Sequence, residues 1–237
     1  MKDPVRDASA SESGLGELSE TPRAIVSIIK REGSATMHEI AAELGVTYET
    51  VRQHVGRMRA EGWVEPRLER PARSGAGRPI SRYRLTRTGD HLFPKHYDLL
   101  SVELIDALVD QHGKRGLRRV LESLTEARVR RWGPRLEGLT LEQKLRALEG
   151  IYLEDDPFTS VEEDADGGLR LVERNCPFLN VASERPALCS LTVSTLTRLL
   201  GYRVVREERF QSGDGRCVFR VRPDRVASDS FRFEFEK

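Results

Sequence analysis

Apolar positions recur at helical spacing three times in quick succession near the start of the chain. Ile25, Ile28 and Ile29 share one face of a segment that opens at Thr21-Pro22, a capping residue with proline at the first helical position, and closes at Gly33. Ile40, Ala41 and Leu44 follow a Thr36-x-x-Glu39 capping box and stop at Gly45. Val51, Val55 and Met58 follow a Thr47 cap in a third helix reaching about Ala60. The period then shortens to two. Residues 63–70 and 80–85 read as strands, joined by a stretch of Pro, Gly, Ser and Arg that suits a flexible hairpin tip. Three helices and a hairpin in this order predict a winged helix-turn-helix over residues 21–98. Residues 1–20, mostly Ser, Glu, Gly and Ala, read as a disordered leader.

Residues 99–155 return to helical spacing. Leu100, Leu104, Ile105 and Leu108 are followed by Leu117, Leu121 and Leu124, then by Leu141, Leu145 and Leu148 behind a Thr140-x-x-Gln143 cap. A long helix directly after a wing suits a dimer seam, and a homodimer reads the two halves of a palindrome. The same leucines could instead close a monomer core. Residues 156–223 alternate strand and helix: strands near 158–162 and 169–173, a helix near 188–200 ended by Gly201, and two more strands around Ser212-Gly213-Asp214-Gly215. Residues 224–237 form a polar tail carrying three phenylalanines. The fold class expected is therefore α+β: an N-terminal winged helix-turn-helix, a helical dimerisation segment and a C-terminal mixed α/β domain.

Charge changes the picture only when taken by region. The whole chain has a formal net charge of +1, but residues 47–87 hold ten arginines against four glutamates. That basic stretch coincides with the third helix and the hairpin, which favours double-stranded DNA as a partner over the use of a winged helix as a protein-interaction domain. With Val51, Val55 and Met58 facing inward, Glu49, Gln53 and Gly56 face outward, flanked by Arg52 and Arg57, with Tyr48 near the helix start. Gln53 can pair bidentately with adenine and an arginine with guanine. Arg73 and Arg78 on the hairpin tip would meet phosphates or a minor groove. Any one of these arginines could equally be a solvated surface charge. No apolar run approaches a membrane span, and no signal peptide is recognisable, so a cytoplasmic protein is expected. A glycine loop that would cradle a substrate and a nucleophile–base pair are both missing from the sequence, which argues against an enzyme.

Cys176, Cys189 and Cys217 are the only cysteines, and all lie in the last third. Three cannot all pair within the chain, and in a reducing compartment widely spaced thiols suit a soft metal or an iron–sulfur cluster. Gaps of twelve and twenty-seven residues do not resemble a zinc knuckle. A buried, purely apolar cysteine is the competing explanation and fits Cys217 best. Cys176 stands in a turn before Pro177, where backbone N–H groups can face sulfur.

Together with the winged helix, the segments Gly89-Asp90-His91-Leu92-Phe93-Pro94-Lys95-His96-Tyr97-Asp98-Leu99-Leu100, Asn175-Cys176-Pro177-Phe178, Leu199-Leu200-Gly201 and Gly213-Asp214-Gly215-Arg216-Cys217-x-Phe219 make the chain resemble the SufR family of iron–sulfur-sensing regulators, with a DeoR/ArsR-like winged helix. The resemblance spans all but the two tails and is most specific in the cysteine spacing. It implies a dimeric repressor of iron–sulfur cluster assembly genes that binds a palindromic operator with a [2Fe-2S] or [4Fe-4S] cluster and releases DNA when the cluster is lost. Cys176, Cys189 and Cys217 would then be ligands. Some members carry a further cysteine between the second and third, near Arg203 here, where this chain has none. His54 on the third helix is the first candidate for the remaining position, ahead of His96 and His91. A metal- or thiol-redox-sensing regulator without a cluster is the alternative.

Overall fold

The computed structural model describes residues 14–69, 79–154, 156–164 and 167–236. It divides the chain into two compact units, Met1–His96 and Tyr97–Lys237. In the first, α1 (Gly14–Glu17) and α2 (Glu20–Glu32) precede α3 (Met37–Leu44) and α4 (Tyr48–Ala60), and an antiparallel hairpin of β1 (Val64–Glu69) and β2 (Ile80–Leu85) leads into α5 (Arg87–Asp90). Local chemistry sets these boundaries. Thr36 accepts from the Glu39 N–H at 3.1 Å while Glu39 accepts from the Thr36 N–H at 2.7 Å, so the expected capping box forms. Ala35 exchanges two backbone hydrogen bonds with Tyr83, which ties the wing to the chain entering α3. The isoleucines of α2 meet Ile40, Val51, Val55, Met58 and Tyr83 in one apolar core. Gly89 is required where α5 crosses the wing, because a Cβ there would stand 2.0 Å from the Trp63 carbonyl oxygen.

The leader expected over residues 1–20 needs correction at its end, since residues 14–20 are structured. Leu15 and Leu18 pack against the first core, and the Leu15 N–H donates to the Leu92 carbonyl at 2.9 Å. The Arg23 guanidinium caps the carbonyls of Leu15, Gly16 and Leu18 at 2.8–3.0 Å. Two leucines one helical turn apart outweighed a polar composition. The helix also opens one residue earlier than Thr21, at Glu20 behind Ser19, which leaves Pro22 in the first turn where its missing N–H costs nothing.

The second unit opens with α6 (Tyr97–Trp132), which Gly113 breaks into two helical runs by adopting φ 64° and ψ −177°. After α7 (Leu141–Tyr152) come β3 (Ser160–Glu163), β4 (Leu169–Glu173), α8 (Leu179–Glu184), α9 (Ser190–Leu200), β5 (Tyr202–Glu208) and β6 (Cys217–Val226). The four strands form an antiparallel sheet in the order β3-β4-β6-β5. One face packs on α7 and α9 through Leu145, Leu148, Leu171, Leu196, Leu200 and Phe219.

The leucines considered for a dimer seam divide into two sets. Leu145 and Leu148 belong to this core, and Leu117 and Leu121 are covered by Phe233 of the same chain. Leu100, Leu104 and Leu124 are exposed. The segment read as a polar tail is a fitted strap. Strand β6 continues to Val226, Phe233 is buried and meets Phe235 edge to face at 5.2 Å, and Ser194 exchanges hydrogen bonds with the Glu234 backbone at 3.2 Å. Its alternation of Phe with Arg and Glu puts the rings on one side, which an average over its composition conceals.

Candidate functional site

In the first unit the outward face of α4 is the surface with reading chemistry. Thr47 caps the helix by accepting from the Thr50 N–H at 3.1 Å, and Val51, Val55 and Met58 anchor it from below. Glu49, Arg52, Gln53, Gly56 and Arg57 are exposed, as the wheel requires. Glu49 organises this row: its carboxylate takes both arms of Arg52 at 2.7 and 2.6 Å and the Gln53 amide at 3.4 Å. Arg52 thereby holds the Glu49 carboxyl below the usual carboxylate range. Tyr48 stacks on His38 with ring centroids 4.6 Å apart, which fixes the entry to the helix. Gly56 leaves open space where a side chain would stand. Arg57 has no ion-pair partner among the described residues, and neither do Arg59 and Arg67. On the wing, Arg82 is committed to Glu39 and Ser34, and Arg84 to Glu65. Arg73 and Arg78 lie outside the described residues. His54 is half-buried on the flank of α4.

In the second unit the three thiols come from three places in the sequence. Cys176 sits in the turn between β4 and α8, half-buried, with its carbonyl accepting from the Leu179 N–H at 3.1 Å and its sulfur facing the Phe178 N–H. Cys189 ends a short 3₁₀ turn just before α9, and the Gln211 amide donates to its sulfur at 3.1 Å. Cys217 begins β6 and is buried. The three sulfurs fall in one electrostatic neighbourhood. Burial pushes the Cys176 thiol up to about 11, and Glu173, Cys217 and Cys189 push in the same direction. Burial also raises Cys217, against a backbone hydrogen bond from Phe210.

Two side chains that the sequence did not single out complete this centre. Arg206 on β5 has a side chain only 3 % exposed, stands 4.0 Å from the Cys217 sulfur, hydrogen-bonds Cys189 and pairs with Glu236 of the strap at 2.8 Å. Its burial works against its charge, but these bonds prevail and hold the guanidinium firmly protonated. Glu173, the last residue of β4, is paired in register with Cys217 on β6, so the two side chains leave the sheet on the same side. Burial, reinforced by Asp156, pushes its carboxyl up to about 7. The signal for Glu173 was present as an acid ending an apolar strand three residues before Cys176. For Arg206 it was weaker, because the strand Tyr202–Glu208 carries charges at Arg203, Arg206, Glu207 and Glu208 with no alternation, and an inward arginine looks like an outward one.

Among the described residues, no three His, Cys, Asp or Glu side chains stand close enough together to hold a single metal ion. The thiolates of a multi-iron cluster are shared out among its irons, so such ligands are spread more widely than those around one ion. Three soft donors, a buried cation and an unpartnered Gln211 amide oxygen beside Cys189 are the chemistry such a cluster would meet here.

No helix among the described residues is long and apolar enough to cross a membrane. No curated protein and no solved structure shows a match to the chain. Residues 18–65 match the family model for winged helix-turn-helix DNA-binding domains, the stretch from the end of α1 to the start of the wing. That match and the exposed row on α4 make the first unit a DNA-binding domain, and the protein a transcription regulator.

Proposed function

We propose that the protein is a dimeric repressor that binds a palindromic operator in the cytoplasm and senses an iron–sulfur cluster through Cys176, Cys189 and Cys217, in control of cluster-assembly genes. The observation that carries the reading is that three thiols from a turn, a helix start and a strand fall within one another's electrostatic reach, two of them, Cys189 and Cys217, against one buried arginine. A metal site replaces thiol protons as it loads, and thiols whose protons are held by burial stay neutral until a metal displaces them. A bound cluster supplies net negative charge and cross-links the elements that hold it. Arg206 would face that charge, Gln211 would donate to the Cys189 sulfur, and the Phe178 N–H to that of Cys176. On α4, Gln53 and Arg52 would read base edges once DNA competes with Glu49 for them, and Arg57 would position the helix on phosphate. Exposed Leu100, Leu104 and Leu124 are the apolar surface left for a second copy.

The test is anaerobic purification followed by iron and acid-labile sulfide analysis of wild type and of Cys176→Ser, Cys189→Ser and Cys217→Ser. The reading expects a brown protein with iron and sulfide in equal amounts, most of it lost in each variant. Colourless protein carrying zinc, or full iron and sulfide in all three variants, overturns it.

A further inference from the structure

Three cysteines leave one position open in a site of four, and the second unit supplies few donors for it. Of the five histidines, four belong to the first unit, and the fifth, His112, is exposed on α6 next to the break at Gly113. Asp156 has its oxygens committed, accepting from the N–H groups of Phe158 at 2.9 Å, Arg174 at 2.6 Å and Asn175 at 3.0 Å. Glu236 is held by Arg206. Glu173 differs from both. It is only 7 % exposed, and among the described residues no donor hydrogen-bonds its carboxylate and no cation stands within 4 Å of it, Arg128 and Arg206 acting on it from further away. A buried carboxylate without a partner is costly, and in a settled fold such groups are paired or bind metal. Its surroundings are those of the thiol centre: Cys217 directly across the strand pair, Cys176 three residues on, with Asp156, Tyr152, Arg128 and Arg206 as the other groups that feel its charge.

We infer that Glu173 supplies the fourth ligand of the thiol centre, an oxygen donor beside the sulfurs of Cys176, Cys189 and Cys217. The inference rests on the cluster reading above. A carboxylate is a harder donor than thiolate and holds iron less firmly, so one corner of the site would be the place where iron leaves first. Loading would be a ligand exchange without redox change: each thiol, and Glu173 where it is protonated, would release its proton to solvent as its bond to iron forms, and the ligand that iron held before would leave with it. Placing the labile corner on β4, in register with a ligand on β6, also puts the first bond to break inside the sheet rather than on the DNA-binding unit.

The experiment compares wild type, Glu173→Gln, Glu173→Cys, His54→Ala, Cys176→Ser, Cys189→Ser and Cys217→Ser, each purified anaerobically with ⁵⁷Fe. Iron and sulfide content, Mössbauer spectra and the rate of iron loss to a chelator are recorded. Wild type should show one iron subsite distinct from the others. In Glu173→Gln that subsite should change and iron loss should quicken on the order of tenfold or more, the range by which altered metal surroundings weaken binding. In Glu173→Cys the subsites should become alike and iron loss should slow below the wild-type rate. His54→Ala should match wild type. Unchanged spectra and rates in both Glu173 variants overturn the inference, as does transfer of the spectral change to His54→Ala. Full iron and sulfide in Cys176→Ser together with Cys189→Ser and Cys217→Ser overturns the cluster reading itself, so the two failures are told apart.

Discussion

The two units treat polar groups in opposite ways. Among the described residues of the first, the buried side chains are apolar, and its charges are at the surface, many of them tied in pairs such as Arg31 with Glu43 and Arg84 with Glu65. In the second lie all the buried polar and charged residues found among the described ones, including Asp156, Glu173, Ser190, Ser194 and Thr197. Ser190, Ser194 and Thr197 are satisfied by the strap or the backbone. Glu173 is not. A reading head needs only a stiff core that presents a helix, whereas a sensor needs a place that the fold leaves incomplete until its ligand arrives.

The sharpest way to break this contrast is to remove the buried cation. Arg206→Ala leaves Glu236, Cys189 and Cys217 without their partner, and we expect a loss of about 4 kcal/mol from the second unit by urea denaturation of the iron-free protein. A loss below about 1 kcal/mol would mean that Arg206 is solvated and that the centre is not buried in the way described. Phe233→Ala comes next, with an expected cost of about 3 kcal/mol in the same measurement, because the ring fills the space over Leu117 and Leu121. If the strap were merely laid on the surface, this substitution would be neutral.

Much of the first unit was legible because its rules are local. The Thr36-x-x-Glu39 box, the Thr47 cap and the inward row of Val51, Val55 and Met58 each lie within a few residues of their partners, and all three form as expected. The second unit was legible as elements and less so as a site. The Thr140 cap and strand β4 were foreseen, but α8 was missed, since Leu179–Glu184 is too short to show a period. That Arg206 and Glu236 meet at the thiols depends on the pairing of β5 with β6 and on a strap thirty residues further on, and no local pattern encodes either. The three cysteines pointed to the centre by type alone; what surrounds them came only from the sheet register.

On the first unit the expected effects are smaller and surface-borne. Gln53→Ala should remove about 1–3 kcal/mol of discrimination at one base pair in each half-site while leaving the salt dependence of binding intact, whereas Arg57→Ala should weaken binding to all sequences and lower the salt slope by about one. Selection of duplexes from a random pool, repeated with each variant at two salt concentrations, separates the two. If Gln53→Ala leaves base preference unchanged, the outward face of α4 has been assigned wrongly. The smallest effect concerns Asp90, whose carboxyl is held down to about 2 by Lys30 and Lys95. A lowered value in the folded state means stability that is present above about pH 4, the ordinary carboxylate value, and lost as pH falls through about 2. Asp90 is exposed, so the difference between wild type and Asp90→Asn should be slight at pH 6 and vanish at about pH 1.5. A difference that instead grows in acid would contradict the pairing.

The claim that joins the two units is that occupancy of the thiol centre governs DNA reading. It is tested most directly by selecting duplexes with the anaerobically purified protein, then measuring its affinity for the selected sequence before and after iron is stripped by a chelator under argon. The account predicts tight, salt-sensitive binding to a palindrome before stripping and a large loss of affinity after it, with the iron-free protein still folded. Equal affinity in the two states would contradict it.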